Sequence, residues 1–228
     1  MPSESVENYL KAIYMLHQRG EADARVKNKD IAETLSLALP SVTSMLKALA
    51  ERTLLDYVPY QGVILTLEGR RAALKVIRRH RLLELFLHET LELTWSEVHD
   101  EAELLEHALS DKLTDRIDAF LGYPTSDPHG DPIPTRDGVV PELQGRSLVG
   151  VPVGSTATVQ RVLTQDSAFL EYLASKGVII NAHVRVREVA PFEGPIVLEV
   201  GPDAAAVPLS RDAARLLMVK IVEPPHVG

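Results

Sequence analysis

In the middle of the chain His99, Glu103, Glu106 and His107 fall at positions i, i+4, i+7 and i+8, a spacing that lines one face of an α-helix. Upstream, His80 and Glu84 are four apart and share a helix face in the same way. Two imidazoles and two carboxylates flanked by Leu104 and Leu105 carry a desolvation cost if buried bare, and a divalent cation would offset it. The same stripe is also the composition of a solvated acidic face with Glu–His pairs at i,i+4. With no cysteine in the chain, thiolate zinc sites, iron–sulfur clusters, disulfides and thiol catalysis are excluded. Oxygen and imidazole donors suit a hard or borderline cation, Mn(II) first and Fe(II) next. Intrinsic affinity favours Zn(II), Ni(II) or Cu(II), so a manganese response must rest on geometry and supply. The isolated His17, His88 and His129 read as surface or structural residues.

A second constellation lies near the N-terminus. A helix beginning at Pro40 exposes Ser41, Thr43, Ser44 and Lys47, and Lys27 and Lys29 stand at the start of the preceding helix. Hydroxyls and lysines of this kind donate to phosphates and touch base edges, and a helix N-terminus adds to the attraction. Arg52 and the hairpin tip at Tyr60 and Gln61 reach toward a flanking backbone. No Arg, Asn or Gln lies on the exposed face of the third helix, so shape readout has to contribute to specificity. An ordinary three-helix module with polar outer faces has the same pattern.

These residues need elements to hold them. Val6, Leu10, Ile13, Tyr14 and Leu16 form a helical stripe ended by Gly20. A second helix is expected over Lys29–Leu35 with Asn28 as its cap, and a third carries Val42, Met45, Leu46 and Leu49 inward. Leu54–Val58 and Val63–Leu67 read as strands around Pro59–Gly62. Helix, helix, turn, helix, hairpin is the order of a winged helix-turn-helix. Two long amphipathic helices follow, Glu68–Leu91 and Ser96–Leu121, with more leucine than a helical hairpin buries alone, so a partner surface is expected. Tyr123–Pro141 holds five prolines and reads as a linker. From Gln144 the pattern turns to strands at Thr156–Val162, Val184–Val189, Pro195–Val200 and Arg215–Val222, with a short helix at Asp166–Ser175, the size of a small barrel. The fold class expected is α+β, with domains at 1–72, 73–140 and 144–228.

The formal charge is −8, and residues 76–140, with 14 acidic and 6 basic residues, account for that net charge by themselves. The N-terminal block is near neutral, so DNA binding requires its bases to lie on one face. No apolar run approaches the roughly 20 residues of a membrane span, and the first residues lack a basic signal region. A cytoplasmic protein without a membrane partner is expected. A metalloenzyme is the competing class, but the chain has no Ser/His/Asp arrangement, no H-E-x-x-H and no glycine-rich phosphate loop. A regulator sensing an organic ligand in the barrel is a further alternative.

Several segments together resemble the metal-dependent transcriptional repressors typified by the diphtheria toxin repressor and the manganese transport regulator. They are Glu7–Tyr14, Asp30–Glu33, Ser41–Thr43, Leu65-Thr66 with Gly69-Arg70, Arg79–Leu82 with Glu84, Val98–Glu103 with Glu106-His107, and Pro128–Pro134. The resemblance covers residues 4–135, and the last block is similar in outline to the small FeoA-like C-terminal barrel of longer members. It implies a primary metal site from Glu103, Glu106 and His107 with a first-helix ligand, where Asn8 occupies the position of an Asp or Met. It implies an ancillary site from His80, Glu84 and His99, completed by Asp166. Glu103 stands where iron-responsive members have Cys, which resembles the manganese branch, whereas Lys11 stands where the short manganese regulator has a Glu. The implied protein is a homodimeric repressor that binds a palindromic double-stranded DNA operator with Mn(II) or Fe(II), with Zn(II), Cd(II), Co(II) or Ni(II) as substitutes in vitro, and controls metal-transport genes.

Overall fold

Apolar residues three and four apart drive the first helix, α1 (Glu4–Arg19), to bury Val6, Leu10 and Ile13, and Gly20 follows its last residue. In this computed structural model residues 3–20, 24–142, 145–201 and 204–223 are described. The start of the last block at Gln144 lies outside them. The chain divides into two compact units.

The first unit comprises Met1–His80, Leu104–Thr114 and Pro134–Val140. Here α1 packs with α2 (Asn28–Thr34), α3 (Leu39–Glu51) and the antiparallel hairpin β1 (Leu55–Val58) and β2 (Gly62–Leu65). Leu10, Ile13, Ile31, Leu46, Leu49 and Ile77 are fully buried in its core. This is the expected winged helix-turn-helix. Asn28, however, lies inside α2 rather than capping it: Lys27 is the N-cap, and Asn28 Nδ2 donates to Thr43 Oγ1 at 3.2 Å, tying α2 to α3. The wing turns back at Gly62, where φ is +111° and an added Cβ would stand 2.2 Å from the Val26 carbonyl oxygen. The long helix α4 (Leu67–Leu91) begins beyond Thr66, whose Oγ1 accepts from Gly69 N at 3.1 Å.

The second unit comprises Arg81–Glu103, Asp115–Ile133 and Pro141–Gly228. Its core is an antiparallel six-stranded sheet ordered β3 (Arg146–Ser147), β8 (Leu217–Glu223), β4 (Thr156–Val162), β5 (His183–Val189), β6 (Ile196–Val200), β7 (Ala205–Leu209). Alternate residues such as Ala157, Val159, Val184, Val186, Ile196 and Leu198 fill its interior. Register shifts between Val159/Arg161 and Val186/Glu188 break the ladder, as bulges that bend strands do. The sequence reading missed β3, β7 and the short helix α8 (Arg211–Arg215): two strand residues are too few for a periodicity, and β7 carries a proline.

Two further expectations change. The second long helix is broken into α5 (Val98–Leu105) and α6 (Asp111–Phe120). Ser110 starts the new helix, with its Oγ accepting from Leu113 N at 3.2 Å. The supposed single stripe of His99, Glu103, Glu106 and His107 is therefore divided at this break. The proline-rich segment is also no loose linker, because residues 127–134 are all buried. Ser126 bridges Pro132, and Gly130, at φ +82°, brings its backbone so near β4 that a Cβ would lie 1.9 Å from the Gln160 carbonyl oxygen.

Candidate metal centre and nucleic-acid face

In the first unit α1 faces the segment after α5. His107 Nε2 lies 2.8 Å from Asn8 Oδ1 and 3.4 Å from Glu106 Oε1. Its other nitrogen, Nδ1, lies 2.6 Å from Glu7 Oε2. Glu7 Oε1 accepts from Arg79 Nη1 at 3.3 Å, and Arg79 Nη2 donates to Asp111 Oδ1 at 2.9 Å. A chain of Asp111, Arg79, Glu7 and His107 thus fixes the imidazole, the arrangement that orients metal-ligating histidines. At the helix break His107 stands against Asn8, and Glu106 against Lys11 and His80.

Glu106 is fully buried, and its Oε2 accepts from Lys11 Nζ at 2.7 Å and meets His80 Nδ1 at 2.6 Å. Burial pushes its carboxyl up. The His80 hydrogen bond and the charges of Lys11 and His80 outweigh that and hold it below the usual carboxylate range. The Asn8 amide oxygen and a Glu106 carboxylate oxygen both lie within 3.4 Å of His107 Nε2, a donor set that fits a hard or borderline divalent cation.

The second unit holds another cluster. Glu84 Oε1 lies 3.1 Å from His99 Nδ1, and Glu84 Oε2 lies 3.8 Å from His129 Nδ1. Asp127 stands beside them, its Oδ1 3.9 Å from His129 Nδ1. Glu84, Asp127 and His129 are all buried and place ligand atoms within 4.8 Å of one another. Burial drives the Asp127 carboxyl well up, with Glu84 and Asp131 adding to the effect and Arg81 and His129 opposing it. Burial alone would lower the His129 imidazole, but the Glu84 carboxylate above all, with Asp127, raises it.

The structure therefore brings Asn8, Glu106 and His107 together and adds Glu7, Lys11 and His80 to them. Glu103 is in the second unit, with its Oε1 3.9 Å from His99 Nε2. Glu84 Oε1 and His99 Nδ1 lie 3.1 Å apart. Asp166 is exposed and is the N-cap of α7 (Ser167–Ser175), where its carboxylate accepts from Phe169 N at 2.7 Å. His129, read as structural or surface, is fully buried at the second cluster with Asp127. Glu7 and Arg79 belonged to recognised motifs, but only three-dimensional contact reveals their work on His107.

On the DNA side, Ser41, Ser44, Lys47, Lys27 and Lys29 are exposed and Thr43 half-exposed. Lys27, Lys29, Thr43, Lys47 and Tyr60 line one surface groove between α2, α3 and the wing. Thr43 Oγ1 donates to Leu39 O at 3.0 Å, so that hydroxyl is partly committed within its helix. Lys27 Nζ donates to Gln61 O at 2.9 Å, and Lys29 pairs with Glu33 at 3.4 Å. Tyr60, at the wing tip, is fully exposed. Among the described residues no helix is long and apolar enough to cross a membrane.

Comparison with known proteins accounts for nearly the whole chain. Residues 1–63 match the iron dependent repressor N-terminal DNA binding domain, 66–135 the iron dependent repressor metal binding and dimerisation domain, and 146–221 the FeoA domain. The iron-dependent repressor IdeR of Mycobacterium tuberculosis is 34% identical over 217 residues, which is 90% of this chain and 93% of that protein. The diphtheria toxin repressor of Corynebacterium glutamicum is 28% identical over 230 residues, 96% of this chain and 97% of that one. Among solved structures, a manganese-dependent transcriptional repressor in complex with manganese is 42% identical with a TM-score of 0.85, covering 95% of this chain and 100% of that one. ScaR with bound Zn2+ is 32% identical with a TM-score of 0.77, covering 96% and 99%. The winged helix, the convergent donors and these likenesses lead to one conclusion: the chain belongs to the iron-dependent repressor family of metal-dependent, DNA-binding transcriptional repressors, and it is a regulator rather than an enzyme.

Proposed function

We propose that this chain is a manganese-responsive repressor of metal-transport genes, with Fe(II) as the alternative effector, acting in the cytoplasm as a homodimer on a palindromic operator. The observation that carries the reading is the meeting of Asn8 Oδ1, Glu106 Oε1 and His107 Nε2, which joins the first helix of the winged module to the chain after α5. Asn8, Glu106 and His107, with Glu103 from the family pattern, would hold the cation, and Glu84 and His99, with His80 and Asp166 from the same pattern, an ancillary one. Oxygen and nitrogen donors without a thiolate support manganese over softer ions. Bound at Asn8, Glu106 and His107, the cation would supply positive charge and a rigid tie between α1 and the segment carrying Glu106 and His107.

In this division of labour, residues 1–72 bind DNA through Lys27, Lys29, Ser41, Thr43, Ser44 and Lys47. Residues 73–140 dimerise and bind metal, and residues 144–228 form the small barrel. Leu104, Leu105 and Leu113 are 74%, 40% and 49% exposed, an apolar surface suited to the partner protomer. Each protomer then offers one recognition helix to half an operator. Operator and metal tighten each other's binding by the same factor.

The test is operator selection with chelated protein, followed by separate titrations of Mn(II), Fe(II) and Zn(II). A palindromic site bound only with metal, at a lower free Mn(II) than cellular Zn(II) competition allows, and lost in Glu106→Ala, is the expected result. Equal operator affinity with chelator, or unchanged affinity in Glu106→Ala at fixed Mn(II), overturns it.

A further inference from the structure

The Glu106 carboxylate faces two pockets. On one side its Oε1 lies 3.4 Å from His107 Nε2, which in turn lies 2.8 Å from Asn8 Oδ1. Two atoms bound to one ion at about 2.1 Å stand roughly 3.0–3.4 Å apart, so an ion enters this pocket with little rearrangement. On the other side Glu106 Oε2 lies 2.6 Å from His80 Nδ1, too short an edge for two ligands of one ion. A cation already stands there. Lys11 Nζ donates to Glu106 Oε2 at 2.7 Å and to Oε1 at 3.0 Å, and it lies 3.1 Å from His80 Nδ1. Carboxylate, imidazole and ammonium close a triangle. Glu106 and His80 are buried and Lys11 is largely so, so solvent ions screen the ammonium little.

We propose that Lys11 is the second cation of the primary centre, so that Glu106 accepts a single divalent ion, on the side of Asn8 and His107. The proposal rests on the reading that Asn8, Glu106 and His107 bind metal, and it adds how many ions they admit. A carboxylate with an imidazole on each side is a ligand set able to bridge a pair of ions. Charge opposes a pair here. Glu106 is one negative charge shared by both pockets, while Asn8 is a neutral amide. Exchanging the ammonium for a second dication adds positive charge to a buried site and brings no further anion, which is costly away from water. Because Lys11 reaches both oxygens of Glu106, the arriving ion takes Oε1 and the ammonium keeps Oε2 and His80.

The experiment counts Mn(II) bound per chain by equilibrium dialysis of the full-length protein and records the electron paramagnetic resonance of the bound Mn(II). Lys11→Glu removes the ammonium and supplies a carboxylate. It should bind one ion more per chain than wild type, with the added ion magnetically coupled to its neighbour through Glu106. Lys11→Arg, which keeps a cation, should match the wild-type count. An unchanged count in Lys11→Glu overturns the proposal, as does an added ion without coupling, or a gain in Lys11→Arg as well. Lys11→Gln removes the charge alone and should tighten the first ion on the order of tenfold. Unchanged affinity in Lys11→Gln also overturns the proposal, and this variant decides should Lys11→Glu fail to fold. His107→Ala tells the two readings apart. If it binds as many ions as wild type, the metal site itself is wrong; if it loses one while Lys11→Glu gains none, only the role of Lys11 is.

Discussion

Replacing Glu7 with Gln isolates the support beneath the proposed primary site. Glu7 contributes no atom to the meeting of Asn8, Glu106 and His107; its Oε2 lies 2.6 Å from His107 Nδ1 and its Oε1 accepts from Arg79. Glutamine keeps the volume and one acceptor but removes the charge that makes the imidazole a better donor to a cation. Carboxylate partners of this kind are worth about 10–100-fold in metal affinity. Glu7 and His107 are 7% and 11% exposed, so water and salt screen the contact little, while the retained amide acceptor spares part of it. The expected loss is roughly 30-fold, about 2 kcal/mol. Fluorescence anisotropy of a labelled operator against buffered free Mn(II) reads it directly. The midpoint should move about 30-fold higher with an unchanged plateau, because the ligands themselves remain. A midpoint within threefold of wild type would refute the reasoning, since the Glu7–His107 contact would then do nothing for the metal.

Other perturbations reach other parts of the argument. Asn8→Asp turns a neutral amide donor into a carboxylate and should tighten Mn(II) on the order of tenfold in the same titration. Gly130→Ala forces a Cβ to 1.9 Å from the Gln160 oxygen at φ +82° and should destabilise the protein by roughly 2–4 kcal/mol in urea unfolding. The Asp111 carboxyl is held below the usual range, chiefly by the Arg79 hydrogen bond, against a smaller upward push from burial and with help from Lys75. A lowered folded value means its stabilisation is present above the ordinary aspartate range and lost as pH falls through the lowered value. Asp111→Asn should therefore cost under about 1 kcal/mol at pH 7 and progressively less as the pH falls below the ordinary aspartate range, as judged by the pH profile of unfolding midpoints. Lys47→Ala should reduce the salt slope of operator binding by about one, with affinity falling similarly on all sequences.

The winged module was legible because its signals are local. The apolar stripe of α1, Pro40 near the start of α3 and the Pro59–Gly62 turn each declare themselves within a few residues. Strands β4, β5, β6 and β8 announce themselves by alternation, and Asp166 heads its helix in either reading. The break after Leu105 was hidden, because Leu104, Leu105, Leu109 and Leu113 continue a helical pattern through it. What interrupts the helix is a Ser110 cap and the contacts of Glu106 with Lys11 and His80, which are 95 and 26 residues away in sequence. The depth of His129 was hidden for a related reason: prolines on both sides suggest a loose tether, whereas residues 127–134 are buried and Gly130 lies against β4. The spacing of His107 and Glu106 was visible, but the roles of Glu7 and Arg79 arise only when α1 meets α4.

Lys11 gives the primary site a property of its own. Its ammonium, 2.7 and 3.0 Å from the two oxygens of Glu106, is a counterion that is part of the chain. A chelator cannot strip it and dialysis cannot dilute it, because tethering holds it at an effective concentration on the order of millimolar or above. If Glu106 holds the metal as proposed, an arriving dication would have to outcompete this fixed rival for it, which would lower the ion's apparent affinity by a factor independent of protein concentration. The sensor thereby carries its own reference standard. On that assignment it would stay silent through trace metal and answer only once the free ion passed a threshold set by the position of one lysine.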